Sequence, residues 1–280
     1  MRVLALVIAV VAALPVLASE RVALVIGNAN YKTAPLENPV NDARAMARRL
    51  SQLGFKVTKV ENATRNQMER AIAAFERQLS PTKTGLFYYA GHGIQVRDRN
   101  FMVPVDANLN DESAARFETV NVGSVTEAME YAKSKVNFII LDACRDNPFS
   151  SSMRSAKRGL APVDAARGTL IAYATAPGDV AADGDGSNGL YTSALLAALD
   201  QPGLSAEEVF KQVRATVDER SGGRQTPWES SSLTGNFIFS APTTINVQPT
   251  TTAAPAVNEA ALELEYWRSI SDSDNAADFK

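Results

Sequence analysis

Leu86-Phe87-Tyr88-Tyr89-Ala90-Gly91-His92-Gly93 is an apolar and aromatic run that stops at a histidine set between two glycines. Its counterpart further along is Phe138-Ile139-Ile140-Leu141-Asp142-Ala143-Cys144-Arg145. A short, nearly unbroken apolar run bounded by polar residues reads as a strand buried on both faces, the kind found inside parallel sheets. Each run ends on a side chain capable of covalent or proton-transfer chemistry, and an open α/β sheet presents its site at the carboxyl ends of its strands. His92 is the single histidine of the chain and Cys144 its single cysteine. Only one cysteine–histidine pair can therefore operate here.

The chemistry calls for both groups. A thiol is mostly protonated near neutral pH, so a nucleophilic cysteine needs a base or cation that favours the thiolate, and imidazole is suited to moving that proton. Gly91 and Gly93 remove side chains on either side of His92, which lets a substrate backbone approach closely. The Gly93 and Cys144 amides are then candidates to hold a developing oxyanion. The plainer alternatives are a histidine in a glycine-rich turn and a cysteine serving as a small buried hydrophobe. Their coincidence at two strand ends favours catalysis.

The motifs Tyr88-Tyr89-Ala90-Gly91-His92-Gly93 and Asp142-Ala143-Cys144-Arg145 resemble the two active-site motifs of caspase-like cysteine peptidases, in particular the bacterial metacaspase-like members (orthocaspases). The resemblance runs from about residue 21 to 240, with further matches at Val25-Ile26-Gly27-Asn28, Asn41-Asp42-Ala43 and Asn100-Phe101-Met102-Val103-Pro104-Val105-Asp106. It implies a three-layer caspase-like fold, a mostly parallel six-stranded sheet with helices on both faces. It also implies an endopeptidase acting through an acyl-enzyme, with Cys144 as nucleophile and His92 managing protons. No third member of a triad is identifiable from the sequence, and a backbone carbonyl is the candidate to orient His92.

Asp142 stands two residues before Cys144, so strand alternation turns it to the same side as the thiol. A carboxylate there disfavours thiolate, which argues against a catalytic role and for a counter-charge to a substrate side chain. In metacaspases that resemble this chain, the acid two before the cysteine and the acid of the Asn-Asp motif on the first helix line the primary specificity pocket. The resemblance thus assigns substrate binding to Asp142 and Asp42 and implies polypeptide substrates with arginine or lysine before the cleaved bond. The bland readings are a strand-end acid bonded to local amides and, for Asp42, a charge complementing a helix dipole.

Along the chain, residues 1–19 carry Arg2, an apolar run from Val3 to Leu14, then Pro15 and small or apolar residues, a signal-peptide pattern that implies an exported, periplasmic or secreted protein. A single cysteine forms no internal disulfide, and export would leave Cys144 open to oxidation. With 280 residues, 45% of them hydrophobic, the chain can bury one sizeable α/β domain over residues 20–240, and its net charge of −3 gives no case for nucleic acid.

Expected strands are 21–27, 55–60, the His92 and Cys144 runs, 168–175 and a closing strand at 236–240. A hairpin is expected across Arg97-Asp98-Arg99-Asn100. Expected helices run from Asn38 to Gly54, 65–79, within 118–131, 189–199 and 205–220, the last opened by a capping box from Ser205 to Glu208. Gly27-Asn28-Ala29-Asn30 lacks the G-x-G-x-x-G spacing of a dinucleotide site.

Residues 147–159 read as an exposed loop, and its Arg154, Lys157 and Arg158 offer bonds for self-processing. No metal-ligand cluster is evident. Asp183-Gly184-Asp185-Gly186-Ser187-Asn188 hints at calcium, but position twelve of such a loop is Ala194, which has no carboxylate, so a solvated turn is preferred and calcium dependence stays open. A Pro/Thr/Ala-rich linker covers 241–257, and a partial helical tail at 258–280 offers Tyr266 and Trp267 as contacts for a protein partner. Two other classes compete with the peptidase: a catalytically silent caspase-like interaction module, and a redox sensor at Cys144.

Overall fold

The computed structural model describes residues 20–96, 99–109, 112–144, 160–161, 163–176, 186–242 and 268, with the main chain alone for Glu112, Ser113 and Cys144. The signal-like segment, the loop after Cys144, the Asp183–Asp185 acids and all of the tail except Arg268 lie outside these residues. The chain divides into a unit ending at Pro242 and a second unit, Thr243–Lys280. Among the described residues no helix is long and apolar enough to cross a membrane.

The first unit is built on β1 (Arg21–Gly27), β2 (Phe55–Glu61), β3 (Thr84–Val96), β6 (Val136–Cys144), β7 (Thr169–Tyr173) and β8 (Trp228–Ser231), in the order β2-β1-β3-β6-β7-β8. All neighbours are parallel except β8, which runs antiparallel to β7. Two short strands, β4 (Arg99–Met102) and β5 (Val120–Asn121), continue antiparallel from the far half of β3. Every residue of β3 is buried, as its unbroken apolar run requires of a strand between two parallel neighbours.

Alternation along β3 and β6 supplies two cores. Leu86, Tyr88 and Ala90 of β3 join Phe138 and Ile140 of β6 on one face, under α1 (Pro39–Gln52), α5 (Leu190–Leu199) and α6 (Ala206–Ser221). Phe87 and Tyr89 join Ile139, Leu141 and Ala143 on the other, under α2 (Arg65–Glu76) and α4 (Gly123–Tyr131). This gives the three layers expected.

The helices start where the sequence says they should, with different hardware. Thr64 and Ser205 both form full capping boxes, with Gln67 and Glu208. Asn38 occupies the N-cap of α1, but its side chain makes no capping bond there.

Two expectations change, and two short elements appear that were not expected. The closing strand is Trp228–Ser231 rather than 236–240. Residues 236–240 form only an isolated bridge, Ser205 to Ile238, and stack Phe237 and Phe239 on Phe138 with ring centroids 5.0 and 4.9 Å away. Arg21 clasps this segment by donating to the carbonyls of Phe239 (2.8 Å) and Ile238 (3.1 Å). The helix expected within 118–131 is α4, and it is preceded by a short helix, α3 (Glu112–Glu118), and by β5, neither of which was expected. Finally, α2 ends at Glu76, with Leu79 tucked into the core beyond it.

The topology locates a crevice. From β1 the chain crosses by α1 to β2 on one side, whereas β3 lies on the other side of β1. The strand order thus reverses at β1 and β3, and ligands of open α/β sheets bind at the carboxyl ends of such a switch point.

Candidate active site

His92 and Cys144 are register partners on neighbouring parallel strands, at the carboxyl end of the β3–β6 ladder. Adjacent strands lie about 4.8 Å apart, so the two backbones stand side by side. His92 occupies an even position of β3, as do Tyr88 and Ala90, and the even positions there face the α1–α5 side.

A cage of tyrosines fixes His92, which is only 3% exposed. Its main-chain amide donates to the Tyr31 hydroxyl (2.9 Å), which in turn donates to the Val103 carbonyl (3.1 Å). Its carbonyl accepts from the Tyr89 hydroxyl (2.8 Å) and from the Val103 amide (3.0 Å). The Tyr31 ring packs on the imidazole with centroids 4.4 Å apart. Tyr31 itself belongs to the loop after β1, which is pinned by Asn28 and Asn62. Asn28 donates to the Val103 carbonyl and accepts from the Ala63 amide, and the Asn62 side chain accepts from the amides of Ala29 and Asn30.

That loop also supplies the group that orients the imidazole. His92 Nε2 lies 2.7 Å from the Ala34 carbonyl oxygen. A carbonyl only accepts, so Nε2 carries the proton in the neutral ring and Nδ1 is the basic nitrogen. Ala34 adopts a left-handed φ of 54°, which costs a residue with a Cβ roughly 1–2 kcal/mol.

Gly91 is required by the cage. Its φ is +152°, and an added Cβ would stand 2.5 Å from the Tyr31 hydroxyl and 2.7 Å from that of Tyr89. Gly91→Ala is expected to destabilise the fold by about 1–3 kcal/mol from backbone strain alone. It should also displace His92, so urea unfolding and activity should both suffer; an unchanged urea midpoint would contradict the cage.

The two acids assigned to substrate binding meet the first turn of α5. Asp42 is buried in α1, and its Oδ1 accepts from the Gly189 amide (2.9 Å) and the Asn188 side chain (2.8 Å). It thereby satisfies an amide at the start of a helix whose own N-cap, Gly189, has no side chain to do so. Asp142 Oδ2 accepts from the Thr192 hydroxyl (2.5 Å), with the Tyr88 hydroxyl 3.4 Å away. The Tyr88 and Thr192 hydroxyls are 2.6 Å apart.

Burial, then the charges of Asp142 and Asp42, hold the Tyr88 phenol well above its ordinary pKa, so it remains a proton donor. Burial and Asp142 do the same to Tyr191. Both carboxylates thus act on one phenol beneath the positive end of α5.

Among the described residues no group of three or more histidine, cysteine or acidic side chains could hold a metal ion. The sequence singles out His92, Cys144, Gly93, Asp42 and Asp142 as candidates and passes over Tyr31, Ala34, Tyr88, Tyr89 and Thr192. The paired tyrosines were in view inside the first motif. Alternation sends Tyr88 to the acids and Tyr89 to the His92 cage, a division that the period-two rule could have found.

Fold and site together define a class: a three-layer α/β protein that sets a histidine and a cysteine side by side at a strand-end crevice. A family model described as the caspase domain matches residues 20–238, and the chain belongs to that family of peptidases. It is similar to the mucosa-associated lymphoid tissue lymphoma translocation protein 1 of Homo sapiens, with 37% identity over 130 residues that cover 46% of this chain and 15% of the human protein. The Mus musculus homolog is 36% identical over 130 residues with the same coverage. The chain therefore spans a small part of the length of these relatives.

Proposed function

We propose that the protein is a cysteine endopeptidase that cleaves after arginine or lysine. The observation that carries this reading is the convergence of Asp42 and Asp142 on Tyr88 and α5, on the sheet face that also carries His92 and at the strand end where Cys144 is its register partner. Two carboxylates in one partly buried site repel each other, and a guanidinium or ammonium supplies the counter-charge.

In the reaction, Nδ1 of His92 takes the thiol proton and the Cys144 thiolate attacks the scissile carbonyl carbon. A C–S bond forms as the carbonyl electron pair moves to oxygen. Collapse of the tetrahedral intermediate breaks the C–N bond, and the imidazolium returns its proton to the departing amine. Water, deprotonated by His92, then hydrolyses the thioester and regenerates the thiol.

The oxyanion is received by the amides of Gly93 and Cys144. Val103 donates to the His92 carbonyl, which makes Gly93 and Met102 a non-hydrogen-bonded pair, so β4 does not consume the Gly93 amide. Self-processing at Arg154, Lys157 or Arg158 follows from the same preference.

The test is a panel of fluorogenic peptides ending in Arg, Lys, Asp or Leu, with and without calcium, incubated with purified protein whose mass is followed in parallel. Cleavage after Arg or Lys supports the reading, and a mass change at 154–158 supports self-processing. Cleavage after Asp alone would sink the acidic pocket. Silence of the folded protein on the whole panel would favour the interaction module.

A further inference from the structure

The first turn of α5 does more than cover the sheet. Thr192 is its third residue, and its hydroxyl lies 2.5 Å from Asp142 Oδ2 and 2.6 Å from the Tyr88 hydroxyl. A carboxylate only accepts, so the Thr192 proton points at Asp142. Thr192 Oγ1 is then left to accept from Tyr88, whose phenol stays protonated. The result is a directed relay, Tyr88 to Thr192 to Asp142, between a central strand, a helix and the strand that carries the cysteine. One turn earlier, Gly189 and Asn188 donate to Asp42. The start of α5 and the two residues before it thereby grip both acids.

We infer that Thr192, with Tyr88 behind it, is a positioning residue that holds the Asp142 carboxylate in the orientation that receives a basic substrate side chain. This rests on the proposed preference for Arg and Lys. Thr192 is fully buried and its β-branched side chain has little rotameric freedom, so the hydroxyl is held where it is. Hydrogen bonds to a carboxylate are short and strong, and a two-bond chain strengthens both. With the Thr192 bond removed, Asp142 would sample more orientations that do not face the incoming cation, and binding would carry the cost of ordering it. The loss should fall on binding and leave the Cys144–His92 chemistry alone.

The test compares wild type, Thr192→Val, Thr192→Ser and Tyr88→Phe in the full chain, with melting temperatures as the folding control. Thr192→Val keeps the shape and removes the hydroxyl. Its KM for Arg and Lys peptides should rise about ten- to a hundred-fold, with kcat within about threefold of wild type. Thr192→Ser should restore KM. Iodoacetamide should alkylate Cys144 at the wild-type rate in every variant, which a general disturbance of the dyad would not allow.

A folded Thr192→Val with unchanged KM overturns the inference, as does one that loses kcat at constant KM. If Thr192→Val does not fold, Tyr88→Phe decides: it removes the outer donor of the relay together with that hydroxyl's own long contact to Asp142 (3.4 Å), and unchanged KM there overturns the inference. Wild-type protein that cleaves no Arg or Lys peptide fails the proposed preference itself and takes the inference with it. Wild type that does cleave them, beside an unaffected Thr192→Val, fails the inference alone.

Discussion

Cys144→Ala is expected to lower kcat/KM on Arg and Lys peptides by about 10³-fold or more, and His92→Ala to do nearly the same. The double variant should be no worse than either single one. A nucleophile and its base act as a unit, so removal of one leaves nothing for the other to assist, and their effects do not multiply. The ladder at the end of β3 and β6 is the reason for treating them as a unit, since it makes His92 and Cys144 direct register partners. The Ala34 carbonyl fixes which ring nitrogen is the base. A second readout separates loss of the base from loss of the fold. In His92→Ala the thiol loses its proton acceptor, so its alkylation by iodoacetamide at neutral pH should slow and recover as pH rises through the ordinary thiol range. Two single variants whose losses multiply in the double would sink the dyad, as would substantial hydrolysis by Cys144→Ala.

How much of this was legible in advance depends on how each residue signals. The β3 and β6 runs announce themselves because a strand buried on both faces has no alternation to hide it. Trp228-Glu229-Ser230-Ser231 gives no such signal: it is an antiparallel edge strand, largely polar, and recruited by its pairing with β7. Residues 236–240 gave a false one. Phe237 and Phe239 alternate as strand residues do, but their rings are spent on capping Phe138.

The site divides in the same way. His92 and Cys144 stand out because each is the only residue of its type in the chain. Ala34 contributes a main-chain carbonyl, which its side chain cannot advertise. Thr192 sits on a helix 50 residues beyond the acid it holds, and nothing local marks it. Asp42 was legible as an acid of the first helix turn, but its tie to Gly189 spans 147 residues and exists only once the sheet has stacked α1 beside α5.

Asp142→Asn separates specificity from chemistry because its two effects have opposite signs. The amide keeps the size of the carboxylate and can still accept from Thr192, so the fold should persist. The charge proposed to receive a basic substrate side chain is gone, however. Truncating one side of a desolvated charge pair costs about 2–5 kcal/mol, so kcat/KM on Arg peptides should fall by about 10²- to 10³-fold. Asp142 stands two residues before Cys144 on β6, and removing a negative charge near a thiol favours the thiolate. Alkylation of Cys144 at neutral pH should therefore become faster even as peptide cleavage collapses. Asp42→Asn provides the contrast. Its carboxylate stands on α1 rather than on the cysteine strand, and it anchors the start of α5. It should lose Arg and Lys cleavage with little change in thiol reactivity, and because the asparagine Oδ1 can still accept from Gly189 and Asn188, the stability loss should stay below the roughly 1 kcal/mol of a lost helix cap. Slower alkylation in Asp142→Asn would mean that this carboxylate supports the thiolate, and would return it from the specificity pocket to the catalytic machinery.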